Sequence, residues 1–506
     1  MTATQTFLQT PDFKDAEKLS ASFQQTNEIQ TEFKSFPVPN EKCFYGLAGD
    51  FVRLIEPHTE ADKMSLLSQF LVYAGNIIGR SAYYQIEGDR HYTNINCLIV
   101  GDTARGRKGT SFGRVKQIFR GIDEGHETDC LTSGLASGEG LLWQIRDAVF
   151  AEKEMGKSKK IETVCTDRGV SDKRLLIVEG EFAQVLKKQK IESSSLSTTI
   201  RNLWDTGTTK SLTKNSAIRT TDAHVSIIGH ITATELETTL TDVDSANGYA
   251  NRFLFFLVRQ SKFLPFGSDI PKQECELLKE KIENFISFSR NIDRINFSIE
   301  ASKLWGSIYE HLETSRYGFL ARITQRASPY VIRLSMIYAL LDQSRLIEKH
   351  HLEAALAAWN YSENSARFIF GEKLDNPTAQ RILDLMREST SGISRTDIRD
   401  LFQNHKSKKE IDTALQYLKE NRLAEVKKEK TGGKPKELWI ICDKSYKSYE
   451  SDGKDTTLVA FVADKARING NGISGAILCP DCKTETEFIP SENIYFCGMC
   501  GFTQSK

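Results

Sequence analysis

The sequence contains little proline and no excess of charge of either sign. Its 506 residues include 11 Pro, and 67 Lys and Arg are matched by 67 Asp and Glu. This balance excludes a chain that is basic throughout, so binding to nucleic acid would have to use local patches. No apolar run is long enough to cross a bilayer, and residues 1–20 lack the apolar core of a signal peptide. Six scattered cysteines suit a reducing compartment, and we expect a cytoplasmic protein.

Apolar runs separated by helical patterns predict a parallel α/β sheet that is covered on both faces. A chain of this length is expected to hold several domains, at about 100–200 residues each. The charged segment 151–173 shows no periodicity, and we expect an exposed loop there. The apolar runs lie at residues 95–100, 175–182, 225–230 and 253–258.

The first of these runs leads directly into a glycine-rich turn, which has the layout of a phosphate-binding loop. Two glycines fit the pattern G-x-x-x-x-G-K-[ST], but Arg107 occupies the lysine position and Lys108 follows it. In such a turn the backbone N–H groups point at phosphate oxygens, and the next helix presents its positive end. We predict that Lys108 binds the terminal phosphates and that Thr110, or else Ser111, ligates Mg²⁺. The alternative is an exposed turn rich in Gly and Arg. The predicted ATP-binding residues are Gly101, Asp102, Thr103, Gly106, Arg107, Lys108, Gly109, Thr110 and Ser111.

Polar residues at the ends of the other predicted strands are candidates for the remaining steps of ATP hydrolysis. The reaction needs a carboxylate for Mg²⁺ or water, a polar sensor and a positive charge on the transition state. Glu179 and Glu181 are expected to supply the carboxylates, in either order of roles, unless they are simply exposed acids. His230 and Thr232 are candidate sensors, although such a histidine is often structural. Arg252 precedes an apolar strand and is expected to reach the nucleotide of a neighbouring subunit; a surface ion pair is the plainer reading.

In the order of these elements, the chain resembles AAA+ ATPases of the minichromosome-maintenance helicase kind. It is also similar to an ATPase family of phage, plasmid and primase–polymerase contexts, and the resemblance covers about residues 45–370. It implies that Arg252, followed by Phe253, is an arginine finger. It also implies that Arg326 is the second-sensor arginine, supported by Arg333 seven residues later. Where those helicases have adjacent Asp and Glu, this chain has Glu-Gly-Glu.

A predicted hairpin lies between the carboxylate strand and the sensor strand. Polar and apolar residues alternate around Asn215 and Ser216, which is typical of two strands joined by a turn. The resemblance implies that a lysine near the tip grips single-stranded DNA in a central channel. Lys214 is the first candidate and Lys210 the second; a solvated hairpin is the alternative.

Four cysteines near the C terminus have the spacing of a metal site. Cys479 and Cys482 form one Cys-x-x-Cys pair, and Cys497 and Cys500 form another after fourteen intervening residues. Four thiolates suit tetrahedral Zn²⁺, and with no open coordination position the zinc is expected to be structural. An iron–sulfur centre or a redox pair is the alternative.

The segment before these cysteines has the element order of a winged helix. Residues 378–441 read helix, turn, helix, helix and two strands, and Ser394 and Ser407 are predicted helix N-caps. The predicted fold class is α/β, with a P-loop AAA+ core, a parallel sheet, a winged helix and a zinc ribbon. The predicted domains are a mobile arm (1–40), an ATPase core with N-terminal helices (41–265), a helical lid (266–375), the winged helix (376–441), a linker (442–475) and the zinc ribbon (476–506).

The leading interpretation is an ATP-driven DNA motor that uses ATP, Mg²⁺ and Zn²⁺. We expect a homo-oligomeric ring, a hexamer, with single-stranded DNA in its channel: a replicative helicase of a phage or plasmid. No primase-type polymerase domain is evident, so a separate priming partner is implied. The alternatives are an ATP-switched replication initiator or regulator that does not unwind DNA, and an ATPase of an anti-phage defence system.

Overall fold

A computed structural model gives the conformation of most of the chain. The chain divides into Met1–Phe36 and Pro37–Lys506, and only Ser35 and Phe36 of the first unit are described. The predicted arm up to residue 34, Lys214, the predicted linker from residue 443 and the four C-terminal cysteines lie outside the described residues. The described residues are 35–103, 105–155, 160–211, 218–314, 318–371, 374, 376–389, 392–403, 405–420, 423–429, 436–442, 477–478, 485–489, 494–496 and 503–505.

The described residues form a mixed α/β structure, and none of their helices is long and apolar enough to span a bilayer. The helices are α1 (Gly46–Ile55), α2 (Lys63–Ile77), α3 (Lys108–Phe119), α4 (Gly138–Trp143), α5 (Phe182–Gln189), α6 (Leu196–Asp205), α7 (Ala233–Thr239), α8 (Asp242–Ala246), α9 (Lys272–Ser289), α10 (Ile299–Glu313), α11 (Phe319–Thr324), α12 (Ala327–Leu341), α13 (Lys349–Phe370), α14 (Pro377–Glu388), α15 (Arg395–Leu401) and α16 (Lys408–Glu420). The strands are β1 (Tyr84–Ile86), β2 (Asp89–His91), β3 (Cys97–Val100), β4 (Leu131–Thr132), β5 (Val149–Met155), β6 (Lys160–Asp167), β7 (Arg174–Glu179), β8 (Thr209–Lys210), β9 (Arg219–Thr220), β10 (His224–Ile231), β11 (Leu254–Leu257), β12 (Asn296–Phe297), β13 (Leu346–Ile347), β14 (Ile393–Ser394), β15 (Ala424–Glu429), β16 (Lys436–Ile441), β17 (Ile477–Leu478), β18 (Glu485–Ile489), β19 (Ile494–Phe496) and β20 (Thr503–Ser505).

A five-stranded parallel sheet lies at the centre of the fold, in the order β11-β3-β10-β7-β4. Cys97 of β3 is paired with both Ile228 and Leu254, and Leu176 of β7 is paired with Leu131. Every residue of β3, β10 and β11 is buried, because helices pack on the sheet. Continuous apolar runs are typical of parallel strands whose two faces are covered. The predicted parallel α/β sheet is confirmed.

The parallel pairing places the predicted site residues at two different edges of this sheet. The carboxyl ends of β3, β7 and β10 lie at one edge, where Gly101 follows β3, Glu179 ends β7 and His230 is near the end of β10. Arg252 lies two residues before β11, and the first residue of β11 is paired with the first residue of β3. Arg252 is therefore at the opposite, amino edge.

The prediction of an exposed loop at 151–173 is wrong for its first part, which forms an antiparallel hairpin of β5 and β6. Oppositely charged residues lie across the pair, as in Lys153 opposite Glu162. Phe150 and Ile161 are both 63% exposed, so the hairpin does not bury an apolar face. Because neither face of this hairpin is buried, its residues need not alternate between apolar and polar. The segment therefore shows no sequence pattern typical of a strand.

Helices α9 to α13 form a helical body beside the sheet, in the segment where the sequence pattern is helical. Helix α13 covers the edge strand β11: Ser362 Oγ accepts a hydrogen bond from Phe255 N (2.9 Å), and Ser365 Oγ accepts one from Leu257 N (3.1 Å). Outward N–H groups of an edge strand would otherwise need water or another strand. The two serines thus close this side of the sheet.

Residues 377–441 build a smaller core of their own. Helices α14, α15 and α16 pack with a three-stranded antiparallel sheet of order β14-β16-β15, and Ile382, Leu415 and Trp439 are buried there. The predicted N-caps are confirmed: Ser394 Oγ accepts from the N–H of Asp397, and Ser407 Oγ from the N–H of Glu410. Strand β14 was not predicted, because two residues are too few to show the alternation of apolar and polar residues that marks a strand.

Candidate functional site

The glycine-rich turn connects the interior strand β3 to helix α3. Gly101 N donates a hydrogen bond to the carbonyl oxygen of Ile231 (3.1 Å), which ties the turn to β10. A Cβ atom on Gly101 would lie 2.6 Å from the carbonyl oxygen of Val258, and one on Gly106 would lie 3.0 Å from that of Asp102. Both glycines are therefore required by close backbone contacts, and they let the turn fold tightly over the end of β3.

Lys108 and Arg107 have different surroundings in this turn. Lys108 begins α3, and its Nζ reaches back across the turn to donate to the carbonyl oxygens of Gly101 and Asp102. Burial lowers the pKa of Lys108. Arg107 adopts a left-handed backbone conformation (φ 46°) and forms an ion pair with Glu60 at 2.6 Å. Lys108 is thus the cation that spans the turn, while Arg107 is held by a carboxylate.

The two candidate Mg²⁺ hydroxyls also differ. Thr110 is exposed, whereas Ser111 is completely buried. Ser111 Oγ lies 2.6 Å from Ser65 Oγ, accepts from Gln69 Nε2 (2.5 Å) and donates to the carbonyl oxygen of Lys108 (2.7 Å). Ser111 is fully engaged inside the protein, so Thr110 is the hydroxyl that remains open to solvent at the start of α3.

Gln69 connects this helix to the candidate sensor strand. Its Nε2 donates to Ser111 Oγ, and its Oε1 lies 3.0 Å from Nε2 of His230. Burial, and secondarily the charge of Lys108, lowers the pKa of His230 to about 4, so the ring is neutral at physiological pH. Sequence reasoning missed Gln69 and Ser65; the signal was available, since both are polar residues within an otherwise apolar helical run.

The two candidate catalytic carboxylates lie at the end of β7, where Glu179 is the last residue of the strand and Glu181 follows it. Glu179 is partly buried, and its Oε1 accepts a hydrogen bond from Leu135 N at 2.5 Å. Glu181 is exposed, lies just before α5 and forms no side-chain cap of that helix. Thr232, the other candidate sensor, caps α7 and exchanges hydrogen bonds with Glu235. Of these side chains, Glu181 is the one that is open to a bound water molecule.

The predicted arginines meet at the amino edge of the sheet. Arg252 is only 7% exposed and pairs with Oδ2 of Asp205 at 2.7 Å, while Arg326 pairs with Oδ1 of the same carboxylate at 3.2 Å. Arg333 is buried and donates to the carbonyl oxygens of Asn94 (2.7 Å) and Trp204 (3.0 Å). The structure therefore brings Arg252 and Arg326 together and separates both from the edge with the glycine-rich turn. Asp205 was not singled out from the sequence.

The predicted hairpin is present as strands β8 and β9. Thr209 is paired with Thr220, and Lys210 with Arg219, in antiparallel register. Lys210 is exposed. Lys214 belongs to the connecting residues, which lie outside the described part of the chain.

The C-terminal cysteines also lie outside the described residues, but the strands that flank them are described. Strands β17 to β20 form an antiparallel sheet in sequence order. Leu478 is paired with Glu485 on either side of the first Cys-x-x-Cys, and Phe496 with Thr503 on either side of the second. Because β18 and β19 are antiparallel, Glu485 and Phe496 lie at the same end of the sheet. The flanking strand ends are therefore neighbours.

A cluster of Asp342, His350 and His351 offers the kinds of donor atoms that bind metals. His351 Nε2 lies 3.0 Å from His350 Nε2 and 3.1 Å from Asp342 Oδ2. However, His351 Nδ1 accepts the backbone N–H of Glu348 (2.9 Å), so the ring proton must be on Nε2. Because Nε2 of His351 carries a proton, it cannot ligate a metal. The three side chains therefore form a hydrogen-bonded cluster rather than a metal site.

The comparisons with known proteins identify no relative: no protein-family model matches the chain, and no curated protein matches it. The family resemblance seen in the sequence therefore stays a prediction. What supports a function is the placement of side chains around the sheet, which brings a glycine-rich turn, a carboxylate and a neutral histidine to one edge.

Proposed function

We propose that the chain is an ATP-driven, oligomeric DNA motor with a P-loop AAA+ core, and specifically a replicative helicase of a phage or plasmid. The observation that carries the proposal is the convergence at the carboxyl edge of the sheet. Lys108 spans the turn after β3, Glu181 follows the carboxylate strand β7, and His230 lies on β10, between β3 and β7. Phosphoryl transfer to water needs these groups in one place.

Each group has a role that its surroundings favour. The N terminus of α3 presents free N–H groups and the positive end of the helix to the phosphates. Lys108 exchanges its carbonyl partners for the terminal phosphate oxygens, and Thr110 ligates Mg²⁺. Glu181 polarises the attacking water, while Glu179, held by the N–H of Leu135, assists at the metal. His230 is neutral and adds no charge to the site.

The position of Arg252 favours an oligomer. Strand β11 is four residues long and extends for about 13 Å between the two edges of the sheet, so Arg252 is remote from the turn of its own chain. An arginine that stabilises the transition state must therefore come from a neighbouring copy, which is the geometry of a ring. Such an arginine accelerates hydrolysis by about 10³–10⁵.

The remaining segments are proposed to contact DNA. Lys210 and Lys214 on the β8–β9 hairpin would grip single-stranded DNA. Residues 377–441 have the element order of a winged helix, which is a common DNA-binding module. The neighbouring strand ends at Glu485 and Phe496 suit two Cys-x-x-Cys turns that share one structural Zn²⁺.

The proposal is tested by ATP hydrolysis with and without single-stranded DNA, together with unwinding of a forked duplex and imaging of particles for rings. We expect DNA-stimulated hydrolysis and unwinding that Lys108→Ala abolishes. Lys116→Ala, two turns further along α3, is the matched control and should retain both. Absence of ATP hydrolysis in the presence of Mg²⁺ and DNA would refute the proposal. ATP-dependent assembly on a duplex site without unwinding would instead indicate an initiator. Hydrolysis that responds only to a protein would indicate a defence ATPase.

Action between subunits is tested by mixing two inactive variants. Lys108→Ala retains the arginine, and Arg252→Ala retains the phosphate-binding turn. At a mixed interface, an intact turn of one subunit meets an intact arginine of the other, so mixing should restore part of the hydrolysis. A control mixture with the Lys108→Ala/Arg252→Ala double variant should stay inactive. Normal turnover by Arg252→Ala alone would reject Arg252 as the finger.

A further inference from the structure

One carboxylate holds the side chains of both the predicted arginine finger, Arg252, and the predicted second-sensor arginine, Arg326. Asp205 is the last residue of α6 and is 32% exposed at its side chain. Its Oδ2 pairs with Arg252 at 2.7 Å, and its Oδ1 pairs with Arg326 at 3.2 Å. Each carboxylate oxygen thus pairs with one guanidinium group. Asp205 thereby connects Arg252, which precedes strand β11, to Arg326, which precedes helix α12.

Positive charge is in excess around this carboxylate. The guanidinium carbons of Arg333, Arg326 and Arg252 lie 3.7, 5.0 and 5.8 Å from the ring centroid of Trp204. Burial lowers the pKa of Arg326, and the charge of Arg252 lowers it further. Three guanidinium groups thus surround one aromatic ring, and Asp205 pairs with two of them, Arg252 and Arg326. The site therefore carries more positive than negative charge and could accept a further anion.

Part of this hydrogen-bonding capacity is unused in the described structure. Nε of Arg252 and Nε1 of Trp204 are buried and have no hydrogen-bond partner among the described residues. As long as it stays buried, Arg252 cannot lose Asp205 without gaining another anion, because a largely buried charge that loses its partner is strongly destabilising. It can leave Asp205 only if another anion takes over.

We infer that Asp205 is a positioning residue that acts as a latch: it holds Arg252 and Arg326 in a resting subunit and is displaced by the terminal phosphates of a nucleotide on a neighbouring copy. This inference rests on the proposed function. Phosphate oxygens bind guanidinium groups in the same forked geometry as a carboxylate, so the exchange leaves no arginine unpaired. Asp205 is partly exposed and turns to solvent when it is replaced.

A latch has a thermodynamic consequence that distinguishes it from a permanent support. Because Asp205 competes with the phosphates, it reduces the population of subunits that are ready to assemble around nucleotide. Asp205→Asn keeps the size and an acceptor oxygen but removes the charge. It should lower the protein concentration that gives half-maximal ATP hydrolysis by about twofold to tenfold, which is what one or two ion pairs of a partly exposed carboxylate are worth. Turnover at saturating protein should not fall.

The experiment measures ATP hydrolysis against protein concentration for the full chain, with Asp222→Asn as the control at an exposed aspartate. An unchanged concentration dependence would overturn the latch. A loss of turnover at saturating protein would also overturn it, since Asp205 would then be needed in the active state. If the wild-type protein hydrolyses ATP and Arg252→Ala does not, the proposed function survives either result and only the latch fails.

A second measurement keeps the test independent of whether Asp205→Asn folds. Displacement of two guanidinium groups from Trp204 must alter its fluorescence. Wild-type protein should show an emission change when ATP and Mg²⁺ are added at assembling concentration, and Trp204→Phe and Lys108→Ala should not show it. If wild-type protein hydrolyses ATP without any change that depends on Trp204, the arginines do not leave Asp205 and the latch is refuted.

Discussion

Lowering the pH from about 7 to about 5.5 should destabilise the fold through three buried histidines. His126, His224 and His230 are 0%, 1% and 5% exposed. In each case burial is the main cause of a lowered pKa, to about 4, about 3 and about 4, respectively. All three rings contact helix α2, so protonation would act on the same part of the core.

The hydrogen bonds explain why these rings stay neutral. Nε2 lies 2.8 Å from Asn76 Oδ1 in His126, 2.9 Å from the carbonyl oxygen of Gly75 in His224, and 3.0 Å from an amide oxygen in His230. Because each partner is an acceptor, Nε2 carries the proton. In His126 and His224, Nδ1 is buried and has no partner among the described residues. A second proton would create a buried charge and an unsatisfied N–H group.

The sign and size of the change in stability follow from the linkage between protonation and folding. A histidine in the unfolded chain titrates near pH 6.5, whereas these rings resist protonation when folded. The unfolded state therefore binds more protons, and the stabilisation is complete above about pH 6.5 and is lost as the pH falls towards about 4. At pH 5.5 the loss relative to pH 7 is about 1.2 kcal/mol for each ring and about 4 kcal/mol for three. Total stabilities are about 5–15 kcal/mol, so the effect is large.

The assay is urea unfolding followed by far-UV circular dichroism at a series of pH values. His126→Gln retains an N–H donor near Asn76 and should remove about 1.2 kcal/mol of the stability lost between pH 7 and pH 5.5. His311→Gln changes an exposed ring and is the matched control, which should leave the dependence unaltered. A wild-type loss below about 1 kcal/mol between pH 7 and pH 5.5, or an unchanged slope in His126→Gln, would refute the reasoning.

Three further predictions concern packing, DNA and zinc. Gly229→Ala should destabilise the sheet by about 1–3 kcal/mol, because its Cβ would lie 2.5 Å from a ring carbon of Phe182. Gly113→Ala is the control, because a Cβ atom there meets open space on α3 and should not destabilise the protein. The urea midpoints of the two variants are compared with that of the wild-type protein. Lys214→Ala should weaken stimulation of ATP hydrolysis by single-stranded DNA and spare basal hydrolysis; equal stimulation would argue against a grip at this residue. Cys479→Ser should abolish zinc binding and unfold only the C-terminal module; an unchanged zinc content by elemental analysis would contradict the site.

Much of the fold could be predicted because burial leaves its mark on local sequence. Strands covered on both faces must be apolar throughout, and β3, β10 and β11 were found for that reason. The caps at Ser394 and Ser407 were found because a cap needs a specific residue pair at a fixed spacing. The β5–β6 hairpin was missed because it buries neither face.

The site was only partly accessible to sequence reasoning. The glycine-rich turn could be recognised, but the phosphate-loop pattern does not distinguish Arg107 from Lys108 as the phosphate-binding cation. The two differ because Arg107 pairs with Glu60, which comes from another segment of the chain. Gln69 could not be linked to His230, because 161 residues separate them in the chain. The same holds for Asp205 and its two arginines.

The sequence by itself determined the buried apolar strands, the glycine-rich turn after β3 and the helix caps, because each depends on residues that are close together in the chain. Only the tertiary structure decided that Lys108 spans the turn, that Ser111 is enclosed while Thr110 is open, and that Asp205 neutralises both Arg252 and Arg326. Those outcomes depend on which distant side chains meet when the sheet and helices pack, since hydrogen bonds and ion pairs act over only a few ångströms.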